Sequence, residues 1–186
     1  MIRLQKKDPV TSNDYDTLYW LTSVQAATGE KRHHIITVHV ESGVAVKTDG
    51  KRLHIACLKG NFPDGDYEII KRTKSELILN PVNNEYENWP KWETIFDSMP
   101  APNNGATPNI YVIVDPDDMG KTITKFFIQL YSNGLNAPPI DAYYIETALL
   151  GFYFYGADVY FTDDNEPMFI VDPYLNRVAV LMSFRV

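Results

Sequence analysis

The feature that most constrains the fold is a pair of alternating apolar runs around a short polar segment in residues 43–56, GVAVKTDGKRLHIA. Asp49 followed by Gly50 is a strong hairpin signal, because glycine accepts the positive φ that a tight turn needs. The turn residues would sit on a stiff frame of two antiparallel strands, which suits a recognition site. The alternating residues are Val44, Val46 and Thr48 before the turn and Leu53, Ile55 and Cys57 after it.

Composition and charge limit the kinds of partner. The 186 residues are 45% hydrophobic, enough to bury a substantial core in one domain or two small ones. Residues 1–74 carry 12 Lys and Arg against 9 Asp and Glu (net +3), whereas residues 75–186 carry 5 against 15 (net −10), which together give the net charge of −7. Contact with a polyanion is therefore expected in the first part and contact with proteins in the second.

The single cysteine and the histidines give no sign of a disulfide or a metal site. Cys57 has no second cysteine to pair with and is expected to be a buried structural thiol. The spacing of the histidines matches no zinc pattern, so neither a metal nor another cofactor is predicted. The histidines are His33, His34, His39 and His54.

The lack of a recognisable secretion signal or membrane span predicts a cytoplasmic protein. The first 16 residues, MIRLQKKDPVTSNDYD, contain no apolar segment of the kind found in secretion signals. The longest apolar run, residues 148–157, is too short to cross a bilayer. A soluble cytoplasmic protein without a membrane partner is therefore expected.

The order of predicted elements indicates an α+β fold made of two halves, each with a helix followed by antiparallel strands. The helices are expected on one side of a curved sheet, as one domain over residues 1–186 with halves 1–80 and 110–186 and a connector at 81–109. Helices are predicted from Ser12 or Asn13 to Gly29, over 115–131 and from Asp141. The predicted apolar face of the first helix consists of Tyr15, Leu18, Leu21 and Val24, and that of the last consists of Tyr144, Ile145, Ala148 and Leu149. Besides the hairpin, strands are predicted at 35–40, 67–72, 75–79, 110–114, 158–162, 168–171 and 177–186.

The connector contains an unusually aromatic segment. Its proline and asparagine content is typical of a long connection, but it includes Trp89, Pro90, Lys91 and Trp92. Tryptophan suits places where a ring packs while one edge stays wet. The two rings are therefore expected either to hold the connector against the core or to wall a groove.

Three segments, in the same order along the chain, resemble motifs of the bacterial DNA polymerase III beta sliding clamp. Residues 48–53, TDGKRL, are similar to the TDGHRL signature, residues 89–95, WPKWETI, resemble FPDYxxV, and residues 180–186, VLMSFRV, resemble the terminal VVMPMRL. Residues 140–149 and 166–170 resemble the family's NPxYLLDAL and PVLI segments. The resemblance covers residues 15–60, 86–97 and 140–186, and it implies a clamp-like fold and a non-enzymatic role in DNA replication.

The resemblance also implies a protein-binding pocket. In the family, this pocket takes a short peptide from polymerases, the clamp loader or repair proteins, whose aliphatic and aromatic side chains enter two apolar subsites. Lys51 and Arg52 would lie at its rim and attract acidic peptide ends. From residue type alone, ordinary core packing explains the apolar members as well. The implied peptide-binding residues are Thr48, Gly50, Lys51, Arg52, Leu53, Pro90, Thr94, Ile95, Val180 and Met182.

The predicted first helix offers no cation for contact with DNA, because it carries Asp14 and Asp16 and no basic residue. In the family, helices that line the pore present Lys and Arg to the DNA. A ring built from one-domain chains would need about six copies. Candidate contacts to DNA phosphates can also be read as a sheet edge protected by charge. They are Lys31, Arg32, Lys71, Arg72 and Lys74.

Two functions follow from the resemblance. The first is a processivity factor, from a phage or mobile element, that binds DNA polymerase or other proteins with a clamp-binding motif and encircles double-stranded DNA as a homo-oligomer. The second is an adaptor or decoy that keeps the pocket and does not encircle DNA. A third hypothesis from the residues, a hydrolase using Asp163 and Asp164, has no catalytic motif to support it.

Overall fold

The computed structural model describes residues 1–83, 89–99, 109–110, 140, 142–150, 157–160, 167–172 and 174–182. The chain forms two compact units, Met1–Trp92 (unit 1) and Glu93–Val186 (unit 2). Each unit combines helical segments with antiparallel strands, so the predicted α+β class is confirmed. The division into one domain with halves 1–80 and 110–186 stays a prediction.

Unit 1 is built on six strands in the order β1-β6-β5-β2-β3-β4, and every neighbouring pair is antiparallel. Ser42 and Gly43 join β2 to β3 with φ of 50° and 78°. Two successive positive φ values match the right-handed twist of a hairpin. The strands are β1 (Ile2–Gln5), β2 (Val38–Glu41), β3 (Val44–Thr48), β4 (Arg52–Cys57), β5 (Gly65–Arg72) and β6 (Glu76–Val82), and the helices are α1 (Ser12–Leu21) and α2 (His33–Ile36).

Helix α1 supplies much of the core of unit 1, but it is shorter than predicted. The expected apolar face is buried, and the hydroxyl of Tyr15 donates to the Thr73 carbonyl at 2.6 Å. The helix ends at Leu21 instead of Gly29, because the Thr22 hydroxyl bonds the Leu18 carbonyl at 2.7 Å and the chain then turns. The N-cap is Thr11. The buried face consists of Tyr15, Leu18, Leu21 and Val24.

Two further expectations in unit 1 are wrong. Residues 33–36 form α2, and strand β2 begins only at Val38. The hydroxyl of Thr37 donates to the His33 carbonyl at 2.7 Å, which closes this helical turn before the strand starts. Cys57 is exposed, because it is the last residue of β4, opposite Val44 at the other end of the hairpin.

Asp14 of α1 is an internal residue, although aspartate is mostly exposed in folded proteins. It is 5% exposed. Its Oδ1 accepts the N–H of Lys59 at 2.7 Å, and its Oδ2 accepts the N–H of Gly60 at 2.9 Å. The carboxylate therefore fixes the loop after β4 to the helix.

The described residues of unit 2 form four strands in the order β10-β9-β8-β7, all antiparallel. Of the predicted apolar stripe of its helix, Ile145, Ala148 and Leu149 are buried and Tyr144 is half-buried. The predicted helix 115–131 and the acidic pair Asp163 and Asp164 lie outside the described residues. The elements are β7 (Asn109–Ile110), β8 (Ala157–Tyr160), β9 (Met168–Asp172), β10 (Arg177–Leu181) and α3 (Ala142–Leu149), and a 3-10 helix, Trp92–Ser98, begins at the last residue of unit 1.

In the part of the chain that the structure describes, no helix has both the length and the apolar character needed to span a membrane.

Asp14→Ala is expected to lower the free energy of unfolding by about 1–3 kcal/mol, because two backbone N–H groups of the loop after β4 lose a charged acceptor. Asp16→Ala is the matched control: Asp16 lies on the same helix but is exposed, and its removal should change stability by less than about 0.5 kcal/mol. Urea unfolding measures both. Equal effects for the two variants would contradict an internal role for Asp14.

Candidate protein-binding site

The turn between β3 and β4 is held by its own side chains. Thr48 and Leu53 form the last pair of the two strands. Asp49 Oδ1 accepts the N–H groups of Lys51 and Arg52, each at 3.0 Å. Gly50 has a φ of 84°, and its N–H donates to the Thr48 hydroxyl oxygen at 3.0 Å. This turn is preorganised, so a partner would bind it with little ordering cost.

The two cationic residues expected at the rim differ in exposure. Lys51 is exposed. Arg52 is not a rim charge: its side chain is 2% exposed, and its Nε donates to Asp49 Oδ2 at 2.8 Å. The same carboxylate that shapes the turn therefore holds Arg52 inside. Of the predicted hairpin residues, Gly50 and Lys51 are exposed, and Thr48 and Leu53 are half-buried.

Lys47 lies beneath this turn and is missing from the predicted site. It is 1% exposed, and its Nζ donates to the Ile35 carbonyl and, at 3.5 Å, to the Thr48 carbonyl. Burial lowers the pKa of Lys47 to about 8, and the nearby Asp49 carboxylate opposes the shift. The sequence offers one sign that Lys47 is buried. Along β3, Lys47 lies on the same face as the small residue Ala45, and small residues are expected on a face that another element covers.

The connector is held against unit 1 through Trp89. Its ring stacks on His39, with centroids 5.3 Å apart, and its Nε1 donates to the Thr37 hydroxyl oxygen at 3.4 Å. His39 Nδ1 lies 2.7 Å from one oxygen of Asp66, and His33 Nε2 lies 2.6 Å from the other. Of the two alternatives for the connector, Trp89 therefore follows the first, packing against the core.

Within the described ranges, no group of three His, Cys, Asp or Glu residues could hold a metal ion.

In unit 2, an apolar layer joins the 3-10 helix to the last strands. The Phe96 ring lies 6.4 Å from that of Phe169 on β9, and Phe169 is directly opposite Val180 on β10. Met182 follows Val180 by two residues, the spacing of residues on one face of a strand. Val180 is buried, whereas Met182 is 44% exposed. Unit 2 thus associates the segment that carries Ile95 with the strand that carries Val180.

The remaining predicted peptide contacts differ in exposure. Pro90 and Thr94 are exposed, and Ile95 is half-buried. Among the unit 2 residues of the predicted pocket, Thr94 and Met182 are therefore the most accessible to a partner.

The predicted DNA contacts are largely engaged within unit 1. The Arg72 guanidinium lies over the Tyr19 ring, 3.9 Å from its centroid. Its Nε donates to the Thr22 hydroxyl at 3.0 Å, and a terminal nitrogen donates to the Tyr19 carbonyl at 3.0 Å. Arg72 therefore ties β5 to the end of α1, and its charge is partly satisfied by the protein itself.

Two more of these cations form ion pairs on the surface. Lys71 Nζ lies 2.5 Å from Glu76, and Arg32 lies 2.7 Å from Glu30. Hydrogen bonds from Arg32 lower the pKa of Glu30 to about 2. Exposed pairs of this kind contribute little stability, and in each pair a carboxylate offsets the charge of the cation. Lys31 and Lys74 are exposed.

The fold is similar to that of bacterial sliding clamps. The chain matches the DNA polymerase III beta subunit of Thermotoga maritima with a TM-score of 0.57 and 10% identity, covering 100% of this chain and 65% of that one. The C. crescentus beta sliding clamp gives 0.57 and 15% identity over 100% and 65%. The Bacillus subtilis clamp gives 0.53 and 16% over 100% and 64%. In sequence, the chain matches no family model and no curated protein.

These similarities confirm the clamp-like fold that the resemblance implied. The chain spans about 65% of the length of the clamps that it matches.

The low pKa of Lys47 predicts a rise in stability with pH. The unfolded chain has the ordinary value of 10.5 and the folded chain about 8. Between these values the unfolded state binds more protons, so raising the pH favours the folded state. From pH 7 to 10, wild-type stability should rise relative to Lys47→Met by about 2 kcal/mol.

Chemical unfolding at several pH values measures this difference. Burial raises the pKa of Tyr15 and of Tyr67, which lowers stability at high pH, but both tyrosines are present in the two proteins and cancel in the comparison. A difference between wild type and Lys47→Met that stays constant from pH 7 to 10 would contradict the shifted amine.

Proposed function

We propose that this chain is a sliding-clamp-like accessory protein of DNA replication that binds a polymerase or repair protein through a short peptide. The main support is the β3–β4 turn, whose backbone is fixed internally while Lys51 and Leu53 stay accessible. The clamp-like fold adds to this support. A Pseudomonas aeruginosa sliding clamp of similar fold has been solved bound to griselimycin, so this compound is a candidate ligand for the present chain as well.

The proposed chemistry is the burial of a few apolar peptide side chains. Each unit offers apolar contacts of its own, Leu53 in unit 1 and Ile95 and Met182 in unit 2, and each fully buried anchor contributes about 1.5–3 kcal/mol. The flexible thioether of Met182 can adapt to different side chains. The buried Val180 would lie beneath them, and Lys51 would attract acidic groups of the partner. In this proposal the protein binds and positions other proteins and is not an enzyme.

A second function, an adaptor that does not encircle DNA, is favoured by the state of the basic residues. Arg72 binds Tyr19, and Lys71 and Arg32 are paired with carboxylates. Helix α1 contributes no Lys or Arg. A processivity factor would therefore depend on cations such as Lys31 and Lys74. A phage or mobile-element origin stays a prediction for either function.

Met182→Asp should weaken binding of a fluorescent peptide that carries a leucine and a phenylalanine by at least about tenfold, because a charge replaces an apolar anchor. Fluorescence anisotropy measures the affinity, and griselimycin serves as a competing probe. Leu150→Asp is the matched control, since Leu150 is also an exposed apolar residue of unit 2, at 41% against 44% for Met182. Its affinity should stay at the wild-type value. Unchanged binding by Met182→Asp would refute the proposed site.

The processivity factor and the adaptor differ in assembly and in salt dependence. For the first function, light scattering should give a closed oligomer, and affinity for duplex DNA should fall steeply between about 50 and 200 mM salt. Lys31→Gln and Lys74→Gln should each lower the salt slope by about 1 if the residue contacts a phosphate. A monomer that binds the peptide but not DNA would instead establish the adaptor.

A further inference from the structure

We propose that Lys47 is a positioning residue of the peptide site: its buried amine connects α2 to the β3–β4 turn and so sets the surface that Lys51 and Leu53 present. This inference rests on the proposed function, because it concerns the same turn. Lys47 itself is too deeply buried to touch a partner. Its effect would pass through the backbone carbonyls that it binds.

The contacts of Lys47 link two segments that are far apart in sequence. Its Nζ donates to the Ile35 carbonyl in α2 and also lies 3.5 Å from the Thr48 carbonyl, where the turn begins. The Ile35 side chain is buried, and its Cδ1 would lie 3.6 Å from a Cβ added to Gly50. Ile35 therefore supports the turn from below while its carbonyl is held by Lys47.

A lysine at this position goes against the general preference for apolar residues in a covered strand. Its cross-strand partner is His54, which is also buried and stacks on Trp20 of α1 with centroids 4.3 Å apart. Residues that break a local rule often mark functional or strained sites. An apolar side chain would fill the same space, but it could not donate to the two carbonyls.

The same amine is electrostatically coupled to the group that shapes the turn. Asp49 is the charged neighbour that favours the protonated form of Lys47. Asp49 also accepts the N–H groups of Lys51 and Arg52 and the side chain of Arg52. Removal of the amine would therefore weaken two interactions that support the turn. One is the hydrogen bond to the Ile35 carbonyl below it, and the other is the attraction to the Asp49 carboxylate within it.

The test compares Lys47→Met, which loses the donor, with Lys47→Gln, which keeps a donor; both side chains are one atom shorter than lysine, so the two variants match each other in length. Three quantities are measured: affinity for the fluorescent leucine–phenylalanine peptide, hydrogen exchange of turn amides 50–52, and stability in urea. Lys7→Met, at an exposed lysine of the same unit, is the control. For Lys47→Met we expect at least about fivefold weaker binding and tenfold faster turn exchange, with the β2–β5 amides still protected.

Lys47→Gln should fall between wild type and Lys47→Met in both affinity and exchange, and Lys7→Met should match wild type. A folded Lys47→Met with wild-type affinity and wild-type turn exchange would overturn the inference. If Lys47→Met does not fold, wild-type values for Lys47→Gln would overturn it. If wild type binds no peptide, the proposed function fails first, and with it the link from Lys47 to peptide binding.

Discussion

The Asp49 carboxylate is the interaction on which the candidate site most depends. Its two oxygens accept two backbone N–H groups of the turn and the Nε of Arg52. These bonds satisfy polar groups at the end of a strand pair, where the regular ladder stops. They also explain why the turn can be rigid without burying Leu53 or Lys51. A recognition surface needs both properties, because an ordered surface loses little entropy on binding and an accessible one can still be desolvated.

Other charged side chains of unit 1 also form hydrogen bonds to the backbone of another segment. Asp14 accepts N–H groups of the loop after β4, Lys47 donates to a carbonyl of α2, and Arg72 donates to a carbonyl of α1. Hydrogen bonds between charged and neutral groups are stronger than those between neutral groups. The formal charge of residues 1–74 therefore exaggerates the cationic surface of unit 1, since part of it is used internally.

The sequence predicted the pairing of the central hairpin but not which charged residues are buried. The hairpin was predictable because alternation and the Asp-Gly step agree, and the apolar face of α1 was predictable from its spacing. The early end of α1 and the formation of α2 depend on the hydroxyls of Thr22 and Thr37 binding carbonyls one turn back. Alternation assigns a residue to a face of a strand but does not say that the face is covered, so Lys47 and Arg52 were missed as internal residues. Cys57 is the reverse case, since apolar character favoured burial and the end of β4 exposes it.

The two functions make different demands on the same surface. Peptide binding needs a few accessible apolar groups on rigid supports, and the turn in unit 1 and the Phe96–Phe169 layer in unit 2 each have such a support. Encirclement of DNA needs many exposed cations, because affinity for duplex DNA grows with the number of phosphates neutralised. In unit 1 the cations Arg72, Lys71 and Arg32 already have protein partners. Protein binding therefore follows more directly from the described residues than DNA binding does, and loading on DNA would depend on the assembly of several chains.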